Sequence, residues 1–93
     1  MNKKWGSYKV LLSSKNYKIK ILTLKPHSKT SLQLHNHRAE FWLLLDQKNK
    51  FTYKIIGPKE THILINDTDK LLRVLEVQFG DKCIESDIER LKE

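Results

Sequence analysis

Residues 32–42 read Leu32-Gln33-Leu34-His35-Asn36-His37-Arg38-Ala39-Glu40-Phe41-Trp42, and the reading of this stretch decides the rest. Side chains alternate faces along a β-strand, so Gln33, His35 and His37 point one way while Leu32 and Leu34 point the other. Glu40 lies five residues beyond His35, an odd offset, and joins the same cluster only if the chain turns or bulges between Asn36 and Ala39. His62 opens a later strand, after the Gly57-Pro58 turn. Two imidazoles, a carboxylate and an amide oxygen converging in this way form a donor set that suits zinc, iron, manganese or nickel. The bland alternative is that strand-end histidines lie on the surface, since a bare His-x-His is a weak signal.

Outward from this stretch, short segments rich in β-branched and aromatic residues recur at 8–12, 17–24, 31–35, 41–45, 51–56, 61–65 and 71–79. Turn formers bound them: Ser13-Ser14-Lys15-Asn16, Pro26-His27-Ser28, Gly57-Pro58 and Asn66-Asp67-Thr68-Asp69. That rhythm predicts an all-β sandwich or barrel. Only residues 86–92 carry a helical pattern, with Ser86 as N-cap, Glu89 as its capping-box partner, and Ile88 and Leu91 on one face. A short C-terminal helix is expected there. No internal repeat, linker or low-complexity tract interrupts the pattern.

A chain of 93 residues is too short for two independently buried cores, so residues 1–93 are expected to form one domain. No apolar run approaches the roughly 20 residues that a membrane-spanning helix needs. The basic start, Met1-Asn2-Lys3-Lys4, has no apolar core behind it, so a secretory leader is not expected and a cytoplasmic location is. Cys83 is the single cysteine, which excludes an intrachain disulfide and a cysteine-based metal cluster within one chain. The net charge of +7 attracts anions of any kind. Nearly all of it is lysine, with only Arg38, Arg73 and Arg90 to offer guanidinium forks, so nucleic acid is not the expected partner.

With these residues in view the chain resembles the cupin family and, within it, the C-terminal domain of type II mannose-6-phosphate isomerases. Gln33-x-His35-x-x-x-x-Glu40 is similar to the first cupin motif of that branch, and His62-x-x-x-Asn66 to the end of the second. Trp5-Gly6-Ser7-Tyr8, Lys25-Pro26, His37-Arg38-Ala39-Glu40-x-Trp42 and Glu76-Val77-Gln78-x-Gly80 resemble further landmarks in the same order. The resemblance implies a cupin jelly-roll β-barrel and a divalent transition metal, zinc foremost, held by Gln33, His35, Glu40 and His62. It makes His37 a neighbour of the metal or an alternative ligand.

Three departures qualify the match. His27 stands where the family has a glycine after Lys25-Pro26, and the glycine of the second motif is replaced within Gly57-Pro58-Lys59-Glu60, so both turns must be rebuilt. Ile21 replaces a family arginine. The interval from Trp42 to His62 is shorter than the family's by about a dozen residues, the length of one short β-hairpin. A nucleotidyl-transferase domain, which often precedes this module in bifunctional relatives, is expected to be missing.

The activity implied is interconversion of mannose 6-phosphate and fructose 6-phosphate, a step in carbohydrate and polysaccharide precursor metabolism. The proton between C1 and C2 needs a carrier, and His37, a lysine or a spare carboxylate could serve. For the substrate phosphate the candidates are Lys18, Lys20 and Arg38, with Lys18 and Arg38 near the chemistry; the two lysines could equally form a solvated strand face. The competing reading is a non-catalytic metal- or sugar-binding cupin module left by loss of the hairpin. That loss also predicts a two-fold homodimer, because it bares strand edges and the apolar faces of 41–45 and 51–56, with Lys48-Asn49-Lys50 as an alternative charged guard.

Overall fold

In the computed structural model, which describes residues 1–47 and 50–91, the strand-forming segment 17–24 becomes β3 (Tyr17–Leu24), paired on one side from Lys18 to Leu24 and on the other along its whole length. One neighbour is β2 (Gly6–Ser13), which carries a bulge between Val10 and Leu12 and is itself edged by β1 (Asn2–Lys3). The other is β9 (Leu72–Gly80), followed by β6 (Arg38–Leu44) and β7 (Thr52–Ile56). The resulting antiparallel sheet has the order β1-β2-β3-β9-β6-β7, so consecutive segments cross over between layers as a jelly roll requires.

The opposing wall is slight. Its middle is the segment 28–34, containing β4 (Ser28–Lys29) and β5 (Gln33–Leu34). On one side β4 pairs with β8 (Ile65–Asn66), and Gln33 bridges to His62. On the other, β5 pairs with β10 (Glu89–Arg90). Leu22, Leu24, Trp42, Ile56, Leu64 and Val74 fill the space between the layers at one end, with Trp5 and Tyr8 packed against them.

The expected C-terminal helix is not formed. A turn at Glu85–Ser86 leads instead into β10, and the Leu91 amide donates to the Leu32 carbonyl at 2.8 Å. Seven residues are too few for a helix to stand without tertiary support, and the free edge of β5 offers backbone partners that a helix would forgo. Lys92 lies outside the described residues, as do Lys48 and Asn49 of the expected guard loop.

In the turns after Pro26 and Pro58 a residue bearing a Cβ is left-handed, His27 (φ 53°) and Lys59 (φ 64°), a conformation that costs about 1–2 kcal/mol. The His27 ring offsets part of this by pairing with Asp69 at 2.5 Å. No helix among the described residues is long and apolar enough to cross a membrane.

Candidate metal centre

His35 follows β5, the chain bends at Asn36 and His37, and Arg38 begins β6. Asp87 makes the bend. Its two carboxylate oxygens accept the Asn36 and His37 amides, each at 2.8 Å. Burial alone would raise the Asp87 carboxyl, but these bonds hold it below its ordinary value. Gly80 supports the bend from the next strand, where any Cβ would run into the His37 carbonyl oxygen. The bend changes the alternation, so that Arg38 and Glu40 turn inward alongside His35. His37 turns out: its ring is half exposed, with Nδ1 3.7 Å from Asp81.

The inward groups form a compact set. Donor atoms of His35, Glu40 and His62 all lie within 4.8 Å of one another, and all three residues are buried. His35 Nδ1 bonds the Asp87 carbonyl at 2.6 Å and His62 Nδ1 bonds the Glu60 carbonyl at 3.3 Å. A carbonyl can only accept, so in both rings Nδ1 carries a proton and Nε2 is the atom turned toward the cluster. Metal-binding histidines are commonly oriented in this way, by donating the other ring N–H to a backbone carbonyl. The two Nε2 atoms face opposite oxygens of Glu40, at 3.0 Å for His35 and 3.7 Å for His62.

A buried carboxylate calls for a cation, and in this structure the Arg38 guanidinium supplies it. Its Nη2 lies 3.0 Å from Glu40 Oε2 and 3.1 Å from His35 Nε2, and its Nε adds a bond to the same carboxylate oxygen at 3.1 Å. Gln33 borders the set: its backbone exchanges both hydrogen bonds with His62, and its side-chain amide donates to Ser31. This donor chemistry fits a first-row divalent ion, and nothing in it singles out zinc.

Beside the cluster lies a cavity of about 620 Å³, lined in part by Gln33, Arg38, Trp42, His62, Glu76 and Gln78. Trp42 Nε1 is shared between Glu40 Oε1 at 3.0 Å and Glu76 Oε1 at 3.2 Å. Burial, and then the charge of Glu40, push the Glu76 carboxyl up to about 8, so Glu76 is neutral at pH 7. Burial also works to raise Glu40, but hydrogen bonds from His35 and Glu76 and the Arg38 charge outweigh it and keep Glu40 ionised far below the ordinary carboxylate range. Burial lowers His62, against the pull of Glu40.

Lys18 and Lys20 also face inward. Lys20 is only 5% exposed and its Nζ lies 4.3 Å from the centre of the Tyr8 ring, which rules out a solvated strand face. Both ammonium groups bind Glu85, whose carboxyl they bring down to about 2 although burial alone would raise it.

Among the described residues, Glu76, Gln78, Glu85 and Asp87 are participants that sequence reasoning did not assign to the site. A signal for the first two existed. Leu72, Val74, Glu76 and Gln78 share one face of β9, and a face that passes from apolar to polar along a buried strand marks where a core gives way to a site. Cys83 is buried, and burial pushes its thiol up, away from reactivity.

Solved structures with this architecture define the class. The Staphylococcus aureus capsular polysaccharide assembling protein CapF superposes with a TM-score of 0.78 at 15% identity, covering 98% of this chain and 31% of that one. A Klebsiella pneumoniae protein with a double-stranded β-helix domain gives 0.70 at 13% identity, covering 90% and 77%, and a Bordetella pertussis cupin domain gives 0.62 at 15% identity, covering 86% and 98%. The fold is thus the cupin, or double-stranded β-helix.

The family follows from sequence: the model for the mannose-6-phosphate isomerase C-terminal domain matches residues 1–93, and the chain belongs to that family. Mannose-1-phosphate guanylyltransferase RfbM of Salmonella typhimurium is 37% identical over 101 residues, covering 96% of this chain and 21% of the relative. The alginate biosynthesis protein AlgA of Pseudomonas aeruginosa is 36% identical over 103 residues, again covering 96% and 21%. The chain therefore spans about a fifth of the length of these relatives. Both alignments are longer than the chain itself, as expected of a chain shortened internally.

Proposed function

We propose that the chain is a metal-dependent sugar-phosphate isomerase of reduced activity, acting on mannose 6-phosphate and fructose 6-phosphate in the supply of polysaccharide precursors. The observation that carries the proposal is the pair of imidazoles, each fixed through Nδ1, directed at one buried carboxylate beside a cavity lined also by the inward Lys20. His35, His62 and Glu40, with Gln33 at their border, would hold a divalent transition metal, and zinc is the ion we expect. Such an ion, when bound, stabilises negative charge on the substrate oxygens.

The chain's own residues would do the rest. Glu76, neutral near pH 7 and positioned on the cavity wall beside Glu40, is our assignment for the group that moves the proton between C1 and C2. His37 is directed away from the cluster, so the spare carboxylate is the better placed of the candidates. Lys18 and Lys20 would take the phosphate, while Arg38, tied to Glu40, holds the cluster. A coupled assay with mannose 6-phosphate, run with metal analysis, tests this. We expect metal-dependent turnover below the roughly 10 per second of an ordinary enzyme, lost in Glu76→Gln with the metal retained. No metal uptake and no turnover would overturn it.

A second reading, the non-catalytic metal- or sugar-binding module, is favoured by the slight second wall, whose two-residue strands give the cavity little closure. Metal uptake without turnover would select it. We further propose a cytoplasmic two-fold dimer, supported by the exposed Phe51, Tyr53 and Ile55 at and beside the sheet's terminal strand. Light scattering should report twice 11.1 kDa; a monomer at micromolar concentration speaks against it.

A further inference from the structure

Lys18 Nζ approaches Glu85 at 2.9 Å, and Lys20 Nζ approaches the same carboxylate at 3.0 and 3.2 Å. The partners are unequally placed. The lysine side chains are 12% and 6% exposed and belong to β3, which is paired on both sides; the Glu85 side chain is 55% exposed and stands on a turn in a segment without regular strand pairing. Two ammonium groups drawn so far from water require an anion. The one they hold is carried by the part of the site easiest to move.

A second observation comes from the neighbouring strand, where Gln78 is the register partner of Lys18. Gln78 is fully buried, its Nε2 donates to Glu76 at 2.9 Å, and among the described residues its Oε1 accepts no hydrogen bond. A buried acceptor without a donor is costly, by about 1–3 kcal/mol. It lines the same cavity as Lys20 and Glu85.

We propose that Lys18 and Lys20 form an anion site which Glu85 fills as an internal substitute, and that a phosphate monoester of a polyhydroxy compound binds by displacing Glu85 while a hydroxyl donates to Gln78 Oε1. The substrate class rests on the isomerase reading above; the displaceable carboxylate is the addition. A phosphate monoester near pH 7 carries up to two charges and three acceptor oxygens, so it satisfies two ammonium groups better than one carboxylate can. Acidification within the ordinary range does not open the site, because the lysines keep Glu85 ionised down to about pH 2. The incoming anion itself is the trigger. Glu85 then sets a threshold, excluding anions that bring no more charge than a carboxylate.

The test is calorimetric titration of the full chain and of Glu85→Gln with inorganic phosphate, with circular dichroism to confirm folding. Removing the internal anion should tighten phosphate binding by about 3- to 10-fold, the range expected for losing two partly exposed ion pairs. Adding Lys18→Met to Glu85→Gln should cancel the gain. Phosphate bound no tighter by Glu85→Gln than by the parent chain, or a gain that survives Lys18→Met, overturns the proposal. An amide-resolved NMR titration of the parent chain covers the case of a misfolded variant: residues 84–86 should shift as phosphate saturates, and unmoved resonances there overturn it equally. Metal uptake and turnover do not enter these readouts, so the isomerase reading can fail while this one stands, and the reverse.

Discussion

The two faces of the six-stranded sheet invert the usual arrangement. Lys18 and Lys20 of β3, Glu76 and Gln78 of β9, and Arg38 and Glu40 of β6 all point inward. The outward face carries two cross-strand rows, Ile19, Val77, Phe41 and Ile55 in one and Ile21, Leu75, Leu43 and Tyr53 in the other. On that face Tyr53 and Ile55 are each 63% exposed. A barrel that encloses its polar groups has given up interior volume, and what remains is a core of six buried residues. Its outer surface then becomes the larger apolar reserve, where each side chain covered by a partner can contribute about 1.5–3 kcal/mol.

The largest expected effect tests the outward face. Phe41→Lys places a charge at the middle of an apolar row, and in a two-fold interface the change occurs twice. The dissociation constant of the proposed dimer should rise by about 100-fold or more, read as a fall in mass by light scattering. A dimer that persists would move the interface off this face. Next is the inward face: His35→Ala and His62→Ala should each weaken metal binding by roughly 10-fold or more, whereas His37→Ala should do less. Equal losses from all three would mean that His37 swings into the cluster.

A smaller effect separates charge from packing on the inward face. The Glu76 carboxyl is raised from 4.5 to about 8 in the folded chain. Between those values the folded state binds the proton that the unfolded state has lost, so this group makes stability fall as pH rises from 4.5 to 8. Glu76→Gln keeps the shape without the titration. Its melting temperature near pH 5 should already exceed that of the parent by about 4–8 °C, equivalent to ~1 kcal/mol, with the gap widening up to pH 8 and the two curves converging below pH 4.5. Parallel curves would show that the site tolerates the ionised carboxylate. The least effect lies away from both faces: Lys59→Gly relieves a left-handed residue and should stabilise by about 0.5–1 kcal/mol after the entropic cost of glycine, measured by urea denaturation.

The same inversion explains what could be read from the sequence. The all-β barrel was legible because strand-forming segments and turn residues alternate regularly, and 17–24 matches β3 at both ends. The bend between His35 and Glu40 was legible as well, since their odd spacing demanded one and the chain bends at Asn36 and His37. The direction of Lys18 and Lys20 was not legible. In a strand that alternates lysine with isoleucine, local hydrophobicity puts the isoleucines inside, and only the partners on β9 and β6 reverse the choice. Residues 86–92 misled for a related reason: a capping-box pattern is local, whereas the β5 edge that recruits β10 and the loop amides that recruit Asp87 lie about 50 residues away.

Asp87 also sets an order in time. Its carbonyl fixes the His35 ring and its carboxylate makes the neighbouring bend, yet it follows His35 by 52 residues. At translation rates of about 5–20 residues per second, roughly 3 to 10 s separate the synthesis of the two. Throughout that interval the nascent chain carries His35 without the carbonyl that fixes its ring, and His62 arrives about midway. The centre is therefore among the last features of the molecule to be completed, and a ribosome that stalls just short of Asp87 leaves a chain holding every proposed metal ligand but lacking the residue that fixes the His35 ring and the bend beside it.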